Sequence, residues 1–176
     1  MNYPIRRAFS MPHADTLRMA PILDLARKYI TGESVDPFAR NCMVAKHRND
    51  LNPDTLATDN MDAIEWLRRF KDGSCDSAIV DPPYSPRQVL ECYQAIGREK
   101  CTKEETQTGR LYKWCRIELD RIMKKNGVVL WFGWSSTGMT EAMNWEIVEM
   151  LICNHGGGHN DTIATVWKRK KGLFAN

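Results

Sequence analysis

The stretch SAIVDPPYSPRQ, residues 77–88, joins an apolar run to an acid, two prolines and an aromatic ring. Ala78, Ile79 and Val80 form a short, largely β-branched run of the kind a buried parallel strand uses. Pro82 and Pro83 cannot extend a hydrogen-bonded ladder, so the strand must stop at Asp81. In open α/β sheets, ligands gather just beyond the carboxyl ends of strands. Asp81 and Tyr84 are therefore expected to face a ligand crevice. A lone acid at a strand exit also serves as an ordinary cap, so the rest of the chain has to decide.

Other acids take similar places. Asp36 follows Ser34-Val35, Asp50 ends a second strand candidate, and Asp59 and Asp62 stand about the start of MDAIEWL. An adenosine-containing cofactor needs an acceptor for its ribose hydroxyls, commonly the acid at the end of the second strand. It needs another for its adenine amine. Asp50 and Asp62 are placed to offer these, although each alone also suits a turn or a helix start. Cys153, His155 and His159 cluster in CNHGGGHND, but no fourth ligand lies nearby and the glycines suggest a tight loop, so no metal is expected. Six cysteines without a C-x-x-C pair fit reduced thiols better than a disulfide framework.

The elements that must position these residues alternate along the chain. Residues 1–16 read as irregular, and residues 16–30 have helical periodicity at Leu17, Ile22, Leu25 and Tyr29. SVDPFARN gives a short strand and turn, NCMVAKH a helix, and RNDLNPDT the end of a second strand. MDAIEWLRRF is a short amphipathic helix with Ile64, Leu67 and Phe70 inward. DSAIV is a strand, PRQVLECYQAIG a helix, and RLYKWCRIELDRIMKK a longer helix that Asn126-Gly127 should cap. VVLWFGW is a buried strand, TGMTEAMN a short helix or loop. WEIVEMLIC and TIATVWKR form a hairpin at the end of the sheet. Strands alternating with helices imply a parallel α/β sheet.

The chain's 176 residues suffice for one domain, and 43% apolar with 27% charged residues is globular composition. The net charge of +3 permits an anionic partner without demanding one. No apolar run approaches the ~20 residues that cross a bilayer. MNYPIRRAFSMPH lacks the apolar core of a secretory signal, so the cytoplasm is expected.

DPPY after an apolar strand resembles the catalytic motif of amino-group DNA methyltransferases, chiefly those acting on the exocyclic amine of adenine. The order FSMPHADTL, VDPFAR, NDLNPD, MDAIEWL, VDPPY, KKNGVVLWFGW extends the resemblance over nearly the whole chain. It looks most like the small adenine methyltransferases of phages and prophages, which would place the protein in a bacterial host. The resemblance implies a Rossmann-like class I methyltransferase sheet, mostly parallel with a C-terminal antiparallel hairpin. It implies S-adenosyl-L-methionine as cofactor, DNA as partner and no metal. Asp81 and the Pro82 carbonyl would accept hydrogen bonds from the target amine, Pro83 would complete the motif, and Tyr84 would stack on a flipped-out base. Asp36, Pro37 and Phe38 match the start of the first cofactor motif, Asp50 the ribose acid and Asp62 the adenine contact. Thr16 would help hold the methionine carboxylate. Arg87, His155 and Asn160 are the candidate substrate contacts.

Two features depart from the family. Its first motif usually continues F-x-G-x-G, whereas this chain reads Phe38-Ala39-Arg40-Asn41-Cys42. Glycines there let the backbone approach the cofactor; Arg40 would either reach the cofactor's carboxylate or block the site. No separate target-recognition domain fits, and only residues 91–112 could serve as a small insert, with Arg98, Lys100, Lys103 and Arg110 available to phosphates. The enzyme would then be of low specificity or borrow specificity from a partner. The basic tail Lys168, Arg169, Lys170 and Lys171 would touch phosphates or blunt an edge strand. Competing readings are an RNA adenine, cytosine-N4 or protein-amide methyltransferase, and a DNA-binding relative without catalysis. Asp81 favours adenine, because cytosine enzymes more often carry Ser there and glutamine enzymes Asn.

Overall fold

The structure, a computed structural model, describes residues 3–170. Alternation along the central strands builds two cores at once. In β4 (Cys75–Val80), Ala78 and Val80 point to one face of the sheet and Ile79 to the other. In β5 (Met123–Gly133), Val129 and Trp131 share the first face, and Leu130 and Phe132 the second. All seven side chains are fully buried. Strands covered on both faces read as continuous apolar runs for this reason. Helix α1 (Ala20–Tyr29) covers one face with Ile22, Leu25 and Ala26. Helices α2 (Ala63–Leu67) and α4 (Thr108–Ile122) cover the other with Trp66, Leu67, Leu119 and Ile122.

The remaining elements are β1 (Ile5–Phe9), β2 (Ser34–Asp36), β3 (His47–Arg48), α3 (Pro86–Ala95), β6 (Trp145–Asn154) and β7 (Thr162–Arg169). Single 3-10 turns occupy Thr16–Arg18 and Glu141–Met143. The seven strands form one sheet in the order β1-β6-β7-β5-β4-β2-β3. Only β7 runs antiparallel to its neighbours. This is the α/β, Rossmann-like, mostly parallel sheet with an antiparallel C-terminal hairpin expected from the sequence. Among the described residues no helix is long and apolar enough to cross a membrane.

Four local expectations are corrected. The first sixteen residues are not wholly irregular: Ile5–Phe9 pairs with Met150–Asn154 as an edge strand. The β6–β7 hairpin therefore does not end the sheet, because β7 lies inside it and β1 lies beyond β6. NCMVAKH is not a helix. Arg40 takes a left-handed φ of +44°, and side chains capture nearby amides, with Val44 N donating to Cys42 Sγ and Lys46 N to Ser34 Oγ. Asn126-Gly127 does not cap α4 either. The helix stops at Ile122, Met123 is already extended, and residues 124–127 bulge between the pairs Cys75–Met123 and Ser77–Val128. Glycine suits that bulge: a Cβ at Gly127 would stand 3.0 Å from the Lys124 carbonyl oxygen. Lys171 of the basic tail lies outside the described residues; Arg169 binds Asp120 and Lys170 pairs with Glu141.

Candidate active site

The strand order sets where a ligand can sit. β2 connects outward to β3, whereas β4 connects the other way to β5, so their adjacent carboxyl ends form a topological switch point. Asp36 ends β2 and Asp81 follows β4 at that point. Above them opens a cleft of about 500 Å3, within the range of small-molecule sites. Thr16, Pro37, Phe38, Asp50, Asp62, Asp81, Pro82, Pro83 and Tyr84 all line it. Residues scattered over 69 positions of sequence thus converge on one crevice (from 16 to 84).

Asp81 keeps part of its surface open, and its Oδ1 accepts a hydrogen bond from the Tyr84 hydroxyl. Burial raises its carboxyl above the ordinary value, opposed by the hydroxyls of Tyr84 and Thr16 and by the nearby Arg40 charge. Burial also pushes the Tyr84 phenol well up, and the Asp81 charge adds to it. The turn between them is tightly held. Tyr84 N donates to Gln88 Oε1 at 2.6 Å, Tyr112 Oη donates to the Pro83 carbonyl at 3.1 Å, and Ser85 caps α3 by accepting from Gln88 N. The half-buried ring of Tyr84 meets Trp134 edge to face at 5.6 Å between centroids.

Asp36 lies beneath the cleft, 1% exposed, and does not line it. Its Oδ1 accepts from Phe38 N at 3.0 Å, fixing the turn that presents Pro37 and Phe38. Burial raises its carboxyl well above the usual range; the Phe38 amide opposes this, and the charges of Asp81 and Asp50 reinforce it. Asp50 accepts from Arg40 N at 3.0 Å and Asn52 N at 2.9 Å, one on each oxygen. Asp62 caps α2 through Oδ1, accepting from Ile64 N and Glu65 N. Asp50 and Asp62 each shape a turn or cap and keep lone pairs for the cleft.

Asn49 was not legible as a site residue. It is fully buried and clamps three segments, donating to the Pro37 and Met61 carbonyls and accepting from Met61 N. Its one sequence signal is its place beside Asp50. Gln88, Glu91, Cys92 and Tyr93 of α3 also line the cleft and were missed. A helix facing a cleft carries the same periodicity as one facing a core.

Three candidate substrate residues lie outside the cleft lining. Arg87 is exposed on α3 and pairs with Glu91 at 2.8 Å. Asn160 is exposed in the β6–β7 loop. His155 is buried and both ring nitrogens are engaged, with Ser10 O at 2.7 Å and Thr162 Oγ1 at 2.8 Å. It ties the chain just after β1 to the start of β7. In the 91–112 segment Arg98 pairs with Glu105, while Lys100, Lys103 and Arg110 are exposed.

Among the described residues, the charges lining the cleft are unbalanced: Asp50, Asp54, Asp62, Asp81 and Glu91 against Arg40 alone. Such a wall repels polyphosphates and favours a ligand with positive charge.

No family profile matches the sequence, and no curated protein matches it. Among solved structures, PH0851 superposes with a TM-score of 0.57 at 10% identity, over 84% of this chain and 45% of its own. The chain thus spans less than half the length of that protein. HI0767 of Haemophilus influenzae, named as a candidate methylase, gives a TM-score of 0.49 at 14% identity over 92% of both chains. The yhhF protein of Escherichia coli, named as a candidate methyltransferase, gives 0.49 at 12% identity over 91% of both. At this identity, the likeness to PH0851 is one of fold alone.

Proposed function

We propose that the protein is a methyltransferase dependent on S-adenosylmethionine that acts on the exocyclic amine of adenine in DNA. The observation that carries this reading is Asp81 at the switch point, with Tyr84 beside it and an acid-lined cleft alongside. The donor set fits the cofactor. A sulfonium and an ammonium suit a cleft with five acids and one arginine, whereas a dinucleotide's phosphates do not. Asp50 and Asp62 offer acceptors to a ribose and an adenine amine. When bound, the cofactor supplies an electrophilic methyl group on a sulfonium.

The residues of the chain then have defined tasks. An adenine amine has its lone pair delocalised into the ring. Asp81, as a carboxylate, accepts one amine hydrogen and the Pro82 carbonyl the other, drawing the nitrogen toward tetrahedral geometry and freeing the lone pair. Orientation and fixed dipoles supply most of the rate. The Tyr84 hydroxyl holds the Asp81 acceptor in the ligand-free arrangement. An incoming amine takes its place, and the ring turns its face to the extruded base. Exposed Arg87, Lys100, Lys103 and Arg110 are available to phosphates. Arg40 supports the catalytic reading over the binding-only one, because its φ of +44° preserves the left-handed backbone that a glycine would take.

The test is to incubate the protein with S-adenosylmethionine and unmethylated duplex DNA, digest to nucleosides and measure methylated bases by mass spectrometry, beside Asp81→Ala. N6-methyladenine that disappears in the variant is the expected result. Methylcytosine would move the substrate and keep the mechanism. No product on duplex, single-stranded DNA or RNA would overturn the proposal.

A further inference from the structure

Residues 128–133 of β5 are all buried, and the next, Trp134, is 45% exposed. A large aromatic surface is thus left in water at the carboxyl end of the strand beside β4. Trp134 stands outside the lining of the cleft, against Tyr84, with ring centroids 5.6 Å apart and planes at 66°. A base held between two rings needs them parallel and about 7 Å apart, twice the ~3.4 Å stacking spacing. This pair is too close and too tilted for that, so Trp134 is not a second wall around the base that Tyr84 receives.

The indole is nevertheless held in place. Gly133 still pairs with Ile163 at the end of β5. Ser135 Oγ and Thr137 Oγ1 share a hydrogen bond of 2.7 Å. Gly138 is buried, Arg116 Nε donates to its carbonyl, and a Cβ there would stand 2.2 Å from Trp167 Nε1. A loop fixed at both ends presents its aromatic ring without the ordering cost that a mobile one carries. The loop also differs from the cleft in charge. Residues 134–140 include no acid, and Ser135 and Ser136 are exposed. Their hydroxyls can donate to phosphates, which the acid-lined cleft repels.

We infer that Trp134 is a specificity-determining residue that stacks on the nucleotide next to the target, with the strand leaving the site over Ser135 and Ser136. This rests on the methyltransferase reading above. Extruding the target base bares a face of its neighbour. An indole accepts any base there, because every base has a π-face, and stacking strength gives it a preference for the larger purines.

The experiment measures kcat/KM for methyl transfer to short oligonucleotides, single-stranded and duplex, that contain one adenine. The nucleotide on each side of it is in turn guanine, thymine or an abasic site. Wild type, Trp134→Ala and Trp134→Phe are compared, and binding of S-adenosylhomocysteine to each is followed by calorimetry. Trp134→Ala should lower kcat/KM by ~5- to 150-fold with guanine on the stacking side, the span of one base–aromatic stack. With an abasic site on that side the loss should shrink to within about twofold, and Trp134→Phe should restore most of the activity. Wild type should prefer guanine to thymine there, and Trp134→Ala should lose the preference. Affinity for S-adenosylhomocysteine should stay within about twofold in both variants, which reports an intact fold. A loss that persists with an abasic site on either side, or no loss at all, would overturn the inference and leave the methyltransferase reading standing. Weakened S-adenosylhomocysteine binding would overturn it too, by giving the ring a part in the cleft. If the wild-type protein methylates none of these oligonucleotides, both fall together.

Discussion

Glu149 on β6 and Asp36 on β2 are both buried carboxylic acids on one sheet, four strand positions apart. Glu149 receives Arg6 Nε at 2.8 Å, Lys28 Nζ at 2.5 Å and Tyr29 Oη at 2.6 Å. Burial alone would raise its carboxyl, but the Lys28 and Tyr29 hydrogen bonds and the two cations outweigh that and hold it below the ordinary value. Asp36 has one backbone amide and two neighbouring acids, and its carboxyl is pushed well up. One region satisfies its buried charge and joins β1, α1 and β6. The other leaves a poorly partnered acid, Asp36, beneath a cleft whose lining adds the charges of Asp50 and Asp81. Concentrations of perturbed acids mark functional sites more often than structural ones, and this is the sharpest physical difference between the two.

The largest expected effect comes from the cleft. Asp81→Asn keeps the shape but removes the anionic acceptor, and should lower methyl transfer by ~100- to 10,000-fold. Thermal unfolding should change little, because Asp81 has no cation hydrogen-bonded to it that the change would strand. Single-turnover methylation measured beside a melting curve separates the two effects. An active Asp81→Asn would remove the acid from the proposed mechanism.

The paired region should respond in the opposite manner, with stability lost and activity retained. Glu149→Gln should destabilise by ~2 kcal/mol at neutral pH, a value discounted because Arg6 and Lys28 are each more than half exposed and screened by water. A lowered folded value means that the stabilisation is present above the unfolded pKa and fades as pH falls through the folded one. Wild type and Glu149→Gln should therefore converge in acid. Urea unfolding at neutral pH and in acid would show this; a gap that widens in acid would contradict the assignment.

The turn at Asp81 was legible because its signals are local: an apolar run, then residues that cannot continue a ladder. β1 was not, since Ile5 and Phe9 are exposed and the strand exists through pairing with residues more than 140 positions away. His155 in a glycine-rich loop reads as a ligand-facing group, yet its contacts are Ser10 and Thr162, and only the tertiary structure brings Ser10 there. The helix expected over NCMVAKH failed for a related reason. Apolar spacing was present, but Arg40's positive φ and the capture of amides by Ser34 and Cys42 belong to the packed loop. Asp50 and Asp62 show that the two readings of an acid need not compete: each makes its turn or cap and still lines the cleft.

A smaller effect should come from Asp36→Asn. The amide oxygen can still accept from Phe38 N, while the poorly partnered charge is gone. A raised folded value means that ionisation works against the fold as pH rises through it. The variant should match wild type in acid and gain on it with rising pH, by ~1 kcal/mol, at the low end for neutralising such a buried charge. Melting temperatures across that range would test this, and a variant less stable at high pH would show that the charge has a partner.

Tyr84→Phe should have the smallest effect and the most specific one. The Tyr84 hydroxyl stabilises ionised Asp81, offsetting part of the rise caused by burial. Without it the Asp81 carboxyl moves further up. The amine acceptor must be ionised, so the acid limb of the kcat/KM profile, which reports the free enzyme before the amine displaces the hydroxyl, should shift to higher pH in the variant. On the plateau, where Asp81 is ionised in both proteins, the phenylalanine ring still presents a face to the base, and the rate should stay within about threefold. An unmoved limb would mean that ionisation of Asp81 does not govern the rate. A plateau lowered by ~100-fold would assign the hydroxyl a direct part in the reaction, because stacking alone does not need it.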